Sequence, residues 1–187
     1  MIRFTPCPKP EGFEARVEVR GAAWLANNAT GRPKDYWSEF RFQLADAFGL
    51  LCGYSAMYEP NGTVDHFVSC DEDRAMAYVW SNYRYCAGWI NSSKQNLQSH
   101  QVIDPFDVED GWFEVQLPSM QLVVTDRLPE AYRERAKVML GRLHLGNDER
   151  VLRLRREWLR MYEAGLPLVE LEKKAPLIAR AVRKQQP

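Results

Sequence analysis

The sequence predicts an α+β fold in which a strand-rich unit and the helix after it are flanked by further helices. An Asn-Gly pair at positions 61–62, the dipeptide most typical of a two-residue β-hairpin turn, stands between two short runs of strand-like residues. A second pair of β-rich runs lies within residues 112–125, and beyond Pro129 the apolar residues recur at helical spacing. These patterns divide the chain into an N-terminal extension (1–34), a mixed core (35–126) and a helical C-terminal segment (127–187).

The composition is that of a globular protein with a real core. The chain has 187 residues, of which 45% are hydrophobic, and 6 of them are tryptophan. It has no apolar run of the length that spans a bilayer, and its first residues lack the apolar stretch of a signal peptide. The 4 cysteines form no CxxC pair. We therefore expect a cytoplasmic protein with free thiols.

The net charge is zero, but the charges are unevenly distributed along the chain. Residues 1–126 hold 10 Lys/Arg against 17 Asp/Glu, whereas residues 127–187 hold 15 against 8. A basic C-terminal segment suits contact with a phosphate backbone. It equally suits amphipathic helices in solvent, or a contact with the acidic part of the chain or with a partner. The sequence leaves these alternatives open.

The periodicities predict the following elements. Residues 14–19 alternate in polarity, but too briefly to assign an element. Helices are expected at 35–48, with Asp35 as the N-cap, at 83–97, and in the C-terminal segment at 130–143, 147–163 and 168–184. Hairpins are expected from 56–59 with 63–67 and from 112–117 with 120–125. The last residues, 183–187, are expected to fray.

One stretch, residues 61–94, contains the residue types that phosphodiester hydrolysis requires. Histidine is the natural general base near neutral pH, and His66 lies directly after a carboxylate, Asp65. That carboxylate and the amide oxygen of Asn91 can hold Mg²⁺, which takes one or two protein oxygens and keeps water and substrate phosphate. The stretch therefore predicts a metal-assisted phosphodiesterase site.

Strand and helix geometry constrain this site. Neighbours on a regular strand point to opposite faces, so Asp65 and His66 predict a bulge, a strong twist or a strand end at this dipeptide. Asn91 and Lys94 are three residues apart and share one helix face. Asn82 lies before the expected helix, where its amide can pin the loop between the expected hairpin and that helix.

These residues also resemble a known family. Asp65-His66, Trp80-x-Asn82, Asn91 and Lys94 resemble the ββα-metal motif of HNH nucleases, in the variant whose last histidine is asparagine. The resemblance is greatest to the HNH nuclease subunits of bacterial anti-phage systems that act with an ATPase partner (Septu-like), and it covers roughly residues 35–160.

The resemblance implies a ββα-metal core, and an endonuclease that hydrolyses DNA with Mg²⁺ or Mn²⁺ in antiviral defence beside an ATPase. It implies His66 as the general base, Asn82 as the positioning residue, and Asp65 and Asn91 as metal ligands. We further expect Lys94 and Arg84 to contact nucleic acid.

The zinc knuckle that such nucleases often carry is degenerate here. Its first pair has become Cys52-x-x-Ser55, the second would fall at Ala87 and Ile90, and Cys86 is out of register by one. Structural zinc needs about four N/S ligands, so we expect an apolar plug around Ala87, Trp89 and Ile90 in its place. A zinc site built from Cys52, Cys70, Cys86 and a histidine is the alternative.

Two other functions fit the same residues. The degenerate knuckle and the aromatic-rich N-terminal half are also compatible with a catalytically inactive HNH-fold module that binds nucleic acid or assembles with a partner. An RNA-directed nuclease would use the same side chains as a DNA-directed one.

Overall fold

The computed structural model describes residues 1–185, which form a mixed α+β fold, as the sequence predicts. Two antiparallel two-stranded sheets pair β1 (Thr63–His66) with β2 (Tyr83–Cys86), and β3 (Phe113–Gln116) with β4 (Gln121–Val124). The helices are α1 (Val19–Asn27), α2 (Arg41–Ala47), α3 (Gly88–Lys94), α4 (Arg133–Arg142), α5 (Glu149–Glu163), α6 (Leu168–Lys174) and α7 (Pro176–Gln185). None of the helices in this part of the chain is long and apolar enough to cross a membrane.

The prediction of a hairpin turn at Asn61-Gly62 is wrong. Strand β1 pairs with β2, sixteen residues further on, and residues 56–59 contribute only an isolated bridge between Tyr58 and Leu51. Gly62 does not have a positive φ; instead a Cβ on it would lie 2.6 Å from the Tyr85 ring and 2.8 Å from the Cys86 carbonyl oxygen. The glycine is therefore required for close approach to β2, and not for a turn.

The helix expected at 83–97 is also wrong in its first third. Residues 83–86 form β2, in register with β1 from Thr63 opposite Cys86 to His66 opposite Tyr83. Two tyrosines in four residues favour a strand, and helix α3 begins only at Gly88. The result is a strand–strand–helix unit in which α3 follows β2 directly and packs on β1.

The N-terminal part is more helical than expected. The alternating residues 14–18 form a π-helical turn that continues into α1. The helix predicted at 35–48 is a 3₁₀ turn, Ser38–Phe40, followed by α2. Asp35 does accept a hydrogen bond from the backbone N–H of Ser38, at 2.9 Å.

The C-terminal elements largely follow the prediction. The second hairpin and helices α4 and α5 lie within the predicted ranges, and the Asp148 side chain caps α5. The third predicted helix is two, because Pro176 starts a new helix after Ala175. Residues 183–185 belong to α7, so fraying there is not observed, and residues 186–187 lie outside the described range.

Two core clusters meet at the β1–β2 sheet. One is aromatic: the Phe13 ring lies edge-on to Phe40, Trp80 and Tyr83, with centroids 5.1, 5.1 and 5.7 Å away. Such pairs contribute about 0.5–1.5 kcal/mol each beyond area burial. The other cluster contains residues of all three predicted segments, among them Met1, Ile90 and Leu152. The sheet is thus supported on both faces.

Candidate functional site

A large cleft runs along the free edge of β1. Its volume is about 1220 Å³, and it is bordered by the loop at 31–33, by Trp37 and by residues of α3. The predicted residues Asp65, His66 and Asn91 all border it. The other bordering residues are Gly31, Arg32, Pro33, Trp37, Thr63, Val64, Ser69, Cys70, Asp71, Arg74, Gly88, Ser92, Gln95 and Asn96.

His66 is the last residue of β1, and its ring is held rigidly. Trp37 and Tyr83 pack edge-on against it, with ring centroids 4.5 and 5.0 Å away. Its Nε2 lies 2.9 Å from the carbonyl oxygen of Ala77. A carbonyl only accepts, so Nε2 carries the proton and Nδ1 of the neutral ring keeps a free lone pair.

Burial favours this neutral form. Loss of hydration is the largest influence on His66 and lowers its pKa below the ordinary value of 6.5. The Ala77 carbonyl and the charges of Asp65 and Asp35 oppose that shift, and the Lys94 charge adds to it. At neutral pH the ring is therefore an unprotonated base.

Asn82 fixes the loop that supplies the Ala77 carbonyl. Its Nδ2 donates to the carbonyl oxygens of Val68 and Met76, at 2.9 and 3.0 Å, and its Oδ1 accepts from the Val68 N–H at 2.8 Å. The Tyr83 hydroxyl donates to the same Ala77 oxygen at 2.7 Å. Asn82 thus pins the loop, as its position in the sequence predicts, and through the loop it positions His66.

Asp65 lies on the opposite face of β1 from His66. The β1–β2 register is continuous, so the predicted irregularity is a strand end and not a bulge. The Asp65 side chain is 3% exposed, and both of its oxygens have donors. The Tyr54 hydroxyl donates at 2.6 Å and the Lys94 ammonium at 3.0 Å. Burial, together with the neighbouring Asp65 charge, raises the pKa of Tyr54 well above its ordinary value.

Lys94 and Arg84 do not face solvent, contrary to the expectation that they contact nucleic acid. The Lys94 ammonium also donates to the His66 and Phe67 carbonyl oxygens, at 2.6 and 3.2 Å, which uses all three of its donors. Arg84 forms a two-pronged ion pair with Asp104 and donates to two backbone carbonyls. Both cations are buried, and each neutralises a carboxylate, Asp65 or Asp104, that is largely removed from solvent. Removal of either cation would leave its carboxylate without a partner.

Asn91 joins α3 to β1. Its Nδ2 donates to Thr63 Oγ1 at 3.0 Å and to the Val64 carbonyl oxygen at 3.3 Å. Within residues 1–185 its Oδ1 accepts no hydrogen bond. That oxygen remains available to a ligand in the cleft.

In this structure the predicted metal ligands, Asp65 and Asn91, do not form a ready site for a divalent metal ion. Asp65 already neutralises an ammonium, so a metal ion there would place two cations on one buried carboxylate. Among the described residues, no three His, Cys, Asp or Glu side chains converge as a metal-binding group. Of the predicted site residues, Asn91 and His66 keep a free ligand atom, Oδ1 and Nδ1 respectively.

Cys52 and Cys86 form a buried thiol pair. The Ala87 N–H donates to Cys52 Sγ at 3.3 Å, and Cys86 Sγ donates to the Ala87 carbonyl oxygen at 3.3 Å. Burial opposes ionisation of Cys52, but hydrogen bonds from Cys86, Ser55 and Ala87 outweigh it and lower its pKa to about 6. Burial raises the pKa of Cys86 well above its ordinary value.

The expected plug is present around this pair. Ala87 and Ile90 are buried and Trp89 packs against them, half-buried. Cys70 instead packs against the aromatic cluster, on the cleft side. All four cysteines are free thiols.

Sequence reasoning missed several groups that build the cleft. The Ala77 carbonyl is a backbone atom and has no side-chain signature. Trp37 is spaced as a helical residue with Phe40 and Leu44, which predicts that it packs in the core and not that it contacts a histidine. Arg32 and Asp71 lie in loops with no motif, and only the fold brings them to the cleft that His66 borders.

No protein-family model, curated protein or solved structure matches the chain. The function must therefore be argued from the cleft itself.

Proposed function

We propose that the chain is an HNH-type endonuclease that hydrolyses DNA phosphodiester bonds, with His66 as the general base. The observation that carries the proposal is the bond between His66 Nε2 and the Ala77 carbonyl oxygen, at 2.9 Å. It leaves Nδ1 as a base on a partly buried ring of lowered pKa, beside a cleft large enough for a nucleic-acid strand.

The proposed step is a single displacement at phosphorus. Nδ1 accepts a proton from water, the water oxygen forms a bond to phosphorus, and the bond to the 3′-oxygen breaks; that oxygen leaves with the bonding electron pair and takes a proton from solvent, and His66 later returns its own proton to solvent. Asn82 does not contact the substrate in this proposal; it holds the loop that orients His66. The neutral ring is the state that accepts the proton, which burial favours.

The strand–strand–helix order also supports an HNH-like, ββα-metal arrangement. Strand β1 carries Asp65-His66, β2 returns antiparallel, and α3 carries Asn91 back to β1. The family resemblance adds a divalent cation, Mg²⁺ or Mn²⁺, on Asp65 and Asn91. Because Asp65 is paired with Lys94, we derive no step through a metal, and its requirement is a separate prediction.

A biological role in antiviral defence with an ATPase partner, in the cytoplasm, belongs to the same proposal. It rests on the family resemblance of Asp65-His66, Asn82, Asn91 and Lys94 alone. Co-purification of the tagged chain with an ATPase from its native host tests it.

A second function is favoured by one observation. The buried Asp65–Lys94 pair, 3.0 Å apart, is the arrangement expected if the metal site has been lost and the fold serves as a binding or assembly module. Plasmid nicking separates the two functions. Wild type should nick and His66→Ala should not, while His100→Ala, an exposed histidine outside the cleft, should behave as wild type.

A further inference from the structure

Residues 31–33 form a loop in the wall of the cleft, and Arg74 holds the residues just before it in place. The Arg74 guanidinium donates to the carbonyl oxygens of Asn28, at 3.0 Å, Ala29 and Thr30, at 3.4 Å. The same guanidinium lies 5.7 Å from the Trp24 ring of α1. Three carbonyls gathered by one planar cation fix the course of the backbone immediately before Arg32.

The residues on either side of Arg32 restrict the loop further. Gly31 has φ +87°, a backbone conformation that is strained for residues with a side chain but not for glycine. Pro33 is buried, and its ring fixes its own φ. The backbone at Arg32 is therefore restrained on both sides, which limits the positions that the Arg32 side chain can take.

Arg32 itself is exposed and borders the same cleft as His66. Within residues 1–185 it forms no ion pair and no hydrogen bond. Most other arginines in the chain have a carboxylate or carbonyl partner, as Arg74, Arg84 and Arg155 do. A guanidinium on a fixed loop, bordering a cleft and left without a partner, is available to an anionic ligand.

The charges around the cleft favour an anion slightly. Asp65 is neutralised by Lys94, which leaves Arg32 and Arg74 against the exposed Asp71. These three charges act at one place: burial and Asp71 raise the pKa of the nearby Cys70 thiol, and Arg32 and Arg74 counteract them. Among the charged residues that border the cleft, one positive charge is thus in excess once Lys94 is counted against Asp65.

We propose that Arg32 binds a backbone phosphate of the DNA strand in the cleft and so positions the strand against His66. The proposal rests on the proposed function, because it takes the strand as the ligand. Arg32 is a positioning residue, and Asp71 weakens the same contact by repulsion. Removal of each charge should therefore change the affinity in opposite directions.

The test measures binding without cleavage. Fluorescence anisotropy of labelled single-stranded DNA, duplex DNA and RNA is followed on the His66→Ala background, at salt concentrations from about 50 to 200 mM. Arg32→Ala should weaken binding about five- to tenfold. It should also reduce the slope of log affinity against log salt concentration by about 1, the amount expected for one lost phosphate contact. Arg32→Lys should restore part of the loss, since it keeps the charge but not the fork. Asp71→Asn should tighten binding.

Arg3→Ala is the matched control, because Arg3 is also exposed and without a partner in the described chain but does not border the cleft. Equal affinities for Arg32→Ala and Arg3→Ala, or no measurable binding by the His66→Ala protein, overturn the inference. If wild type nicks plasmid while Arg32→Ala leaves binding unchanged, the inference fails and the nuclease stands. If no variant nicks but binding depends on Arg32, catalysis fails and the inference stands.

Discussion

The Lys94 ammonium lies 3.0 Å from the Asp65 carboxylate, with 1% and 3% of the two side chains exposed. The pair joins the end of α3 to β1. A buried salt bridge thus helps to hold the helix against the strand. The Asp65–Lys94 pair should affect both the stability of the fold and its affinity for metal ions, and the two effects can be measured separately.

Loss of Lys94 alone should be costly. Lys94→Met leaves a buried carboxylate without its cation, which we expect to lower the free energy of unfolding by about 3–5 kcal/mol. Asp65→Asn combined with Lys94→Met should recover much of the loss, because no buried charge remains. Urea denaturation measures both, with the exposed Lys137→Met as control. A loss no larger than that of the control contradicts a structural role for the pair.

Metal affinity should depend on the same pair. We expect wild type to bind Mn²⁺ more weakly than Lys94→Met by about tenfold, because removal of the ammonium frees an oxygen of the Asp65 carboxylate for the metal. Isothermal titration measures this after circular dichroism has confirmed that the variant is folded. The gain should vanish in the Asp65→Asn, Lys94→Met double variant. Tight binding by wild type would mean that the pair opens to admit the metal.

Asn82 should act through the loop. Asn82→Ala removes three hydrogen bonds to Val68 and Met76, and we expect it to cost about 1–3 kcal/mol of stability. The larger effect should be local: faster protease cleavage within residues 67–79 and loss of nicking. Asn147→Ala, on the surface, is the control. Unchanged cleavage of the loop would show that other contacts hold it.

The sequence predicts the residue types of this site better than their roles. Asp65, His66 and Asn91 border one cleft because α3 packs on β1, as a helix that follows the strands is expected to do. The role of Lys94 could not be predicted, because a cation on a helix face looks the same whether it points to solvent or into the sheet. Asn61-Gly62 misled for a related reason: glycine serves both positive φ and close approach, and only the Tyr85 ring decides which.

The His66 ring should make stability depend on pH in a defined direction. Its pKa in the folded chain is lowered below 6.5, so the unfolded chain binds the proton more tightly. The stabilisation is complete above the unfolded pKa of about 6.5 and is lost as the pH falls from there through the folded pKa. His66→Gln should flatten this part of the stability curve. NMR titration of the ring, with the proton on Nε2 and a pKa below 6.5, checks it directly.

The pH dependence of plasmid nicking tests the central claim most directly. If His66 Nδ1 takes the proton from water, the wild-type rate should rise with pH through an apparent pKa below 6.5 and then level off. His66→Ala should lose the rate, and His100→Ala should keep both the rate and the acid limb. A wild-type rate that His66→Ala retains, with the same acid limb, would contradict the assignment of His66 as the base.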